Sequence, residues 1–325
     1  MGLNDLHGRS ISYLRLSVTD RCNLRCRYCM PPDGVSKLSH NDILSFEDLH
    51  RIARQSVALG IEKIRVTGGE PLVRKDVVGF LATLATIEGL KEMVLTTNGL
   101  LLREMAADLR RAGVQRLNVS LDSLSRETFS MITRGGDLNK VLDGIAAAEE
   151  AGFPPVKLNV VVMRGINDSE VLDFAALTLS KPYAVRFIEY MPTMMEPGTI
   201  SHCVTGREIL EQVARRYPLL PLSDCDTAGP ARSFKIIGAA GTIGVITPMS
   251  SKFCESCNRI RITASGRAKG CLFDSEGVDL KPFLQCNNDK LREILYRIMR
   301  EKPAHHMLLD SDPSRKPFAM AEIGG

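Results

Sequence analysis

A chain of 325 residues is too long for one small domain and has room for a barrel with an appended domain. Apolar residues make up 44% and charged residues 25%, as in an ordinary soluble protein, and a net charge of +4 does not by itself mark a nucleic-acid binder. No run reaches the roughly 18 apolar residues of a membrane span and nothing N-terminal reads as a signal peptide, so a cytoplasmic location is expected, with no nucleic acid and no membrane among its partners.

Along the chain, period-2 runs bounded by turn residues alternate with helix-period segments. Strands are predicted over Tyr13–Thr19, Glu62–Thr67, Met93–Thr97, Arg116–Leu121, Val156–Val162 and Ala184–Tyr190. Helices are predicted between them, over Phe46–Leu59, Val77–Ile87, Leu101–Ala112, Leu138–Ala151 and Glu170–Leu179. Ser45 and Asp48 resemble a capping box, and Gly60, Gly113 and Gly152 stand where helix C-termini favour glycine. Six strand–helix units fall short of the eight of a closed barrel. The expected fold is therefore α/β, a partial (β/α)6 barrel over residues 1–230. A smaller α+β domain over 231–325, with short strands, a cysteine-bearing loop and a helix near Lys290–Met299, is expected to cover its open side. Met191–Cys203 and Ser223–Pro230 read as loops.

The strands carry an unusual polar face. Arg15, Lys63, Arg65, Lys157 and Arg186 alternate with apolar neighbours, so they share one side of the sheet. The outer face of such a barrel packs on helices and must be apolar, which turns the cations inward. Asp122 and Glu189 could pair with some of them, yet the cations outnumber these acids. Unpaired buried charge costs several kcal/mol. A polyanionic ligand such as a triphosphate resolves the conflict.

Nine cysteines in a reducing compartment suggest metal ligation before disulfides. Cys22, Cys26 and Cys29 form C-x3-C-x2-C after the first strand. Three thiolates can hold three irons of a 4Fe-4S cluster and leave the fourth iron open to a small molecule. A structural zinc site would need a fourth ligand that the neighbourhood lacks. This spacing is the signature of the radical S-adenosyl-L-methionine (SAM) superfamily, and Thr67-Gly-Gly-Glu-Pro71 after the second strand supports it, its glycines letting backbone approach SAM. Cys254, Cys257 and Cys271 form a second triad, C-x2-C-x13-C, read as a second 4Fe-4S cluster before zinc. Arg259 and Arg261, two apart, add cations beside it. Cys203, Cys225 and Cys286 receive no role.

Taken together, the chain resembles the GTP 3′,8-cyclase family, which opens molybdenum cofactor biosynthesis. The resemblance runs through Leu14-Arg-Leu-Ser-Val-Thr-Asp-Arg-Cys-Asn23, Arg65-Val-Thr-Gly-Gly-Glu-Pro71, Thr96-Thr-Asn-Gly99, Asn118-Val-Ser-Leu-Asp122 and Val156-Lys-Leu-Asn159. It continues through Arg186-Phe-Ile-Glu-Tyr-Met-Pro192, Phe253-Cys-Glu-Ser-Cys-Asn-Arg-Ile-Arg-Ile-Thr263 and Ile323-Gly-Gly325. It implies SAM contacts at Tyr28, Gly69, Ser120 and Met191, and GTP contacts at Arg15, Arg65, Thr96, Lys157, Arg259 and Arg261. Arg15, Arg259, Arg261 and Lys157 are expected to carry catalysis, and the Gly324-Gly325 tail to reach the site. In the family, a radical made from SAM at the first cluster takes hydrogen from ribose C3′ of GTP, C3′ joins C8, and guanine sits on the second cluster. The implied partners are GTP, a low-potential electron donor and, downstream, cyclic pyranopterin monophosphate synthase; the oligomeric state is open and includes a homodimer. The chain departs from the family in the loop Thr193-Met-Met-Glu-Pro197 and in having no tryptophan. Three rival readings are a peptide-modifying radical SAM enzyme, which would need more auxiliary cysteines and a peptide-binding element, a zinc-binding interaction protein, and a catalytically lapsed paralogue, against which the motif residues are intact.

Overall fold

The structure is a computed structural model that describes residues 3–36, 38–39, 41–193, 199–222, 229–274, 277–305 and 318–324. Six parallel strands form its centre: β1 (Tyr13–Ser17), β2 (Lys63–Thr67), β3 (Glu92–Thr97), β4 (Arg116–Ser120), β5 (Lys157–Val162) and β6 (Ala184–Glu189). Each lies within a residue or two of its predicted span. Between them run α1 (Phe46–Ala58), α2 (Val77–Ala85), α3 (Leu102–Arg111), α4 (Arg126–Thr133), α5 (Leu138–Glu150) and α6 (Val171–Ser180).

Local chemistry sets the ends of these elements. Ser45 caps α1 by accepting from the Asp48 amide at 3.0 Å, and Gly60 turns the chain away at φ +107°. The apolar half of the alternation read from sequence packs on the helices. Leu14, Leu16, Ile64, Val66, Leu117, Val119, Val185 and Phe187 are buried in the core with the helices, leaving the intervening polar residues for the inner face.

Strands from the C-terminal region extend this sheet at both edges. After α7 (Gly206–Ala214) come β7 (Leu219–Pro221), β8 (Ala231–Ile236), β9 (Thr242–Ile246), β10 (Arg259–Ile262), β11 (Arg267–Lys269) and β12 (Val278–Asp279). The order across twelve strands is β12-β11-β10-β1-β2-β3-β4-β5-β6-β9-β8-β7. β9 lies parallel to β6, pairing Gly244 with Arg186, and β10 lies parallel to β1, pairing Arg261 with Arg15. Strand pairing thus carries the second cysteine triad to the rim of the first. The last long helix, α8 (Asn288–Arg300), packs against α1. Arg51 there donates to Asn288 at 2.8 Å and to the Leu284 carbonyl at 2.7 Å.

Several features lie outside the predicted spans. α4 and α7 fall in stretches left without an element, and Leu3–Asn4 pairs antiparallel with Ser10–Ile11 at the N-terminus. The expected loop Met191–Cys203 contains a short helical turn at Thr199–His202, and Cys203 bridges to Met163. The divergent residues 194–197 and Cys225 lie outside the described residues.

Candidate active site

The first triad sits on a loop with little regular structure of its own. Other elements fix its shape. The Arg25 and Arg27 amides donate to the carbonyls of Thr133 and Ile132 at the end of α4, at 3.1 and 2.9 Å. Arg134, left-handed at φ +56°, donates to the carbonyls of Arg25 and Met30 at 2.8 and 2.9 Å. From the other side the Gly69 amide meets the Thr19 carbonyl at 2.7 Å and the Glu70 amide meets the Arg21 carbonyl at 2.8 Å. A Cβ at Gly69 would overlap the carbonyls of Asp20 and Arg21, so glycine is required there by close approach.

Burial pushes the thiols of this triad up, Cys22 to about 11 and Cys29 to about 12. Cys26 is raised too, by burial and then by Asp122 and the two other thiols. Three soft donors turned to one cavity beside an acidic neighbour are a site that a polynuclear cation satisfies. Around it, buried Glu70 accepts from the Asn98 amide at 2.7 Å and from Thr97 at 2.8 Å, and burial lifts its carboxyl to about 7. Tyr28 donates to Asp122 at 2.8 Å, and Asp122 also accepts from the Val161 amide at 2.8 Å. Gly69, Ser120 and Met191 line the cavity beside Tyr28.

The second triad is built differently. Cys254 opens a short helical turn, the Cys257 amide closes on the Cys254 carbonyl at 3.1 Å, and Cys271 follows β11. Burial pushes the Cys257 thiol up, but Arg259 and Lys302 outweigh it and hold the group at about 6. Arg259 reaches its sulfur at 3.6 Å. Here the protein supplies positive charge and favours thiolate.

Both triads line one cavity, and every residue assigned from sequence to SAM, GTP or a cluster lines it as well. Strand register sets Arg261, Arg15 and Arg65 side by side on β10, β1 and β2. It also sets Thr96, Asn118 and Lys157 side by side on β3, β4 and β5. Burial holds Lys157 down at about 6, helped by Arg186 and Arg116, and holds Arg186 and Arg261 at about 10. Arg15 is lowered as well, by burial and then by Arg261 and Arg65. Among the described residues Arg65, Lys157, Arg186 and Arg261 form no salt bridge. Arg65 Nε, Thr96 Oγ1, Asn159 Oδ1 and Arg261 Nη1 are buried with no hydrogen-bond partner. Such atoms cost roughly 1–3 kcal/mol each unless a ligand completes them.

The acids named as partners for these cations are engaged elsewhere. Glu189 accepts from the backbone amides of Gly206, Met249 and Ser250 at 2.7–2.9 Å, and Asp122 is held by Tyr28 and Val161. Glu92, unnoticed in the sequence, takes Lys63 at 2.6 Å. Glu70, Asn98 and Lys302 line the cavity without having been assigned a role; the first two lie inside motifs already quoted, whereas nothing local marks Lys302. The tail does approach the site. The Met320 amide donates to the Cys29 carbonyl at 2.9 Å, and Gly324, at φ +79°, abuts Ser17 and Thr67; Gly325 is outside the described residues. Cys203 and Cys286 stand apart, each donating to a backbone carbonyl at 3.5 Å.

Comparison with known proteins agrees with this geometry. The family model of the Radical SAM superfamily matches residues 16–178, and that of Molybdenum Cofactor Synthesis C matches 183–308. Among solved structures, Streptococcus suis SuiB bound to precursor peptide SuiA superposes with a TM-score of 0.64 over 92% of this chain and 67% of its own; at 14% identity this is a likeness of fold. Fold and triad together define a radical SAM enzyme. The GTP 3′,8-cyclase of Geobacter sulfurreducens is 61% identical over 100% of both chains. That of Moorella thermoacetica is 46% identical over 99% of this chain and 100% of its own. The chain belongs to the GTP 3′,8-cyclase family, whose cofactors are two 4Fe-4S clusters and SAM.

Proposed function

We infer that the chain converts GTP to (8S)-3′,8-cyclo-7,8-dihydroguanosine 5′-triphosphate, the first step of molybdenum cofactor biosynthesis. The observation that carries this reading is the single cavity shared by two cysteine triads and a surplus of buried cations. When bound, the first cluster and SAM supply a hydrogen-abstracting radical, and the second cluster offers an open iron to the guanine. Cys22, Cys26 and Cys29 would hold the first cluster, and Cys254, Cys257 and Cys271 the second. Tyr28, Gly69, Ser120 and Met191 would seat SAM. Arg15, Arg65, Thr96, Lys157, Arg259 and Arg261 would seat GTP, supported by the unpartnered atoms of Arg65, Thr96 and Arg261. Arg15, Lys157, Arg259 and Arg261 are proposed as the catalytic set. In the complex their positive charge, with Lys157 having taken up a proton, would stabilise the triphosphate and hold the ribose in one pose.

The division into a barrel unit, 1–230, and a unit bearing the second cluster, 231–325, is retained as part of this proposal. So are a low-potential electron donor, delivery to cyclic pyranopterin monophosphate synthase and a cytoplasmic location. No helix among the described residues is long and apolar enough to cross a membrane.

The test is an anaerobic incubation of the reconstituted protein with SAM, dithionite and GTP, read by mass spectrometry. Formation of 5′-deoxyadenosine together with a cyclised isomer of unchanged GTP mass is expected. Abundant 5′-deoxyadenosine with GTP untouched would keep the radical chemistry and overturn the substrate.

A further inference from the structure

A buried lysine with no carboxylate beside it among the described residues stands next to the second triad. Lys302 is 3% exposed and forms no salt bridge among the described residues. Its ammonium donates to the carbonyl of Gly270, directly before Cys271, and faces the thiols of Cys257 and Cys271. The backbone is equally close, since a Cβ at Gly270 would stand 3.2 Å from the Pro303 ring and 3.4 Å from the Lys302 Cα. A buried ammonium is costly unless something anionic needs it.

The segment is held in place by a second buried cation. Arg9, 6% exposed, is paired with Asp5 at 2.5 Å. Its remaining donors go to the carbonyls of Lys302, Pro303 and Ala304 at 2.8–3.1 Å, and to that of Cys254 at 2.9 Å. One guanidinium therefore ties the Lys302 segment to the loop carrying the first cysteine of the triad. Arg259 and Arg261 also face this triad, but both lie on β10, where register turns them into the lumen.

We propose that Lys302, fixed by Arg9, is a positioning residue for the second cluster. Its ammonium donates to the Cys257 sulfur, places positive charge beside that of Cys271, and so sets the cluster's reduction potential. The inference rests on the reading of Cys254, Cys257 and Cys271 as ligands of a 4Fe-4S cluster. Positive charge and hydrogen bonds at ligand sulfur favour the reduced, more negative state of such a centre, so removing them lowers its potential.

The test uses full-length protein reconstituted with iron and sulfide, as wild type, Lys302→Gln and Lys302→Arg. Iron and sulfide are counted, and each cluster is titrated with dithionite and followed by electron paramagnetic resonance. Added SAM identifies the signal of the first cluster and added GTP that of the second. In Lys302→Gln the second-cluster midpoint is expected to fall by the equivalent of at least a tenfold change in the reduction equilibrium, about 59 mV for one electron. The first-cluster midpoint should stay fixed, and Lys302→Arg should restore the second. An unchanged midpoint in Lys302→Gln, or an equal fall in Lys302→Arg, overturns the proposal. If Lys302→Gln does not hold the second cluster, Lys302→Arg decides: retention at the wild-type midpoint upholds the proposal, and loss in both overturns it. A wild-type protein holding only one cluster would instead overturn the underlying cluster assignment.

Discussion

Lys157 meets two opposed demands. Burial and the neighbouring cations hold its pKa at about 6 in the free protein, so at neutral pH it is largely uncharged. Its proposed task, contact with a triphosphate, needs the ammonium. Binding must then take up a proton, because phosphate oxygens raise the lysine pKa while the free enzyme keeps it low. The sign follows: affinity for GTP falls as pH rises above about 6, until the pKa of the bound form is reached. Between pH 7 and 8, where the terminal phosphate is largely ionised, the Kd for GTP is expected to rise by up to about tenfold. Equilibrium dialysis without reductant checks this, and Lys157→Arg, which stays charged, should flatten the dependence. Lys157→Ala should weaken GTP binding by about tenfold to a hundredfold, the ~1.5–3 kcal/mol of a charged hydrogen bond. The inward turn of this lysine was legible from strand alternation. Its pKa was not, since that depends on Arg186 and Arg116 from other strands, whose approach only the fold sets. The pairing of Lys63 with Glu92 was hidden for the same reason: it follows from the register of β2 on β3.

Among the elements, the first cysteine loop depends on its supports. Gly69→Ala inserts a Cβ into the carbonyls of Asp20 and Arg21, forcing the loop and the Gly-Gly turn apart. Iron uptake at the first triad and SAM binding should both be lost, while iron at the second triad remains; iron assay and calorimetry read the two separately. Glu189 borders the cavity and also holds neighbouring elements together. It gathers the amides of Gly206, Met249 and Ser250, tying α7 and the turn after β9 to the end of β6. Glu189→Gln leaves two of these donors facing a weaker acceptor or an amide nitrogen. A loss of about 1.5–3 kcal/mol is expected, read as a lower denaturant midpoint. The central strands were legible because polar and apolar residues alternate along β1, β2, β4 and the first half of β5, while β3 showed as a short apolar run, Met93-Val-Leu95, between turn signals. α4 was not: it has eight residues, and Phe129, Ile132 and Thr133 give its buried side barely one turn of stripe. Yet it is this helix end that fixes the cluster loop, a contact with no local mark in the sequence.

The whole molecule is organised by non-local pairing. β10, some 245 residues beyond β1 in the chain, lies against it, and β9 lies against β6, so the C-terminal strands flank the barrel strands on both sides. The change of pattern after residue 230 already pointed to a C-terminal part lying over the open side of the barrel, but which strands pair was not legible, because strand partners this distant leave no periodic trace. Their placement turns two unrelated cysteine motifs into one site. It also makes the cation surplus of β1, β2, β5 and β6 continuous with Arg259 and Arg261. α1 and α8 reinforce the arrangement through Arg51 and through Arg292, which donates to Gln55 at 2.9 Å. A site assembled in this way should act on one substrate held at both ends. The measurement that decides it is a single turnover with GTP deuterated at ribose C3′, followed by mass analysis of the 5′-deoxyadenosine formed from SAM. One deuterium in the 5′-deoxyadenosine, and its loss from the cyclised product, is the predicted result. Unlabelled 5′-deoxyadenosine formed beside fully deuterated GTP would mean that the cavity does not present this carbon to the first cluster, and the account would fail.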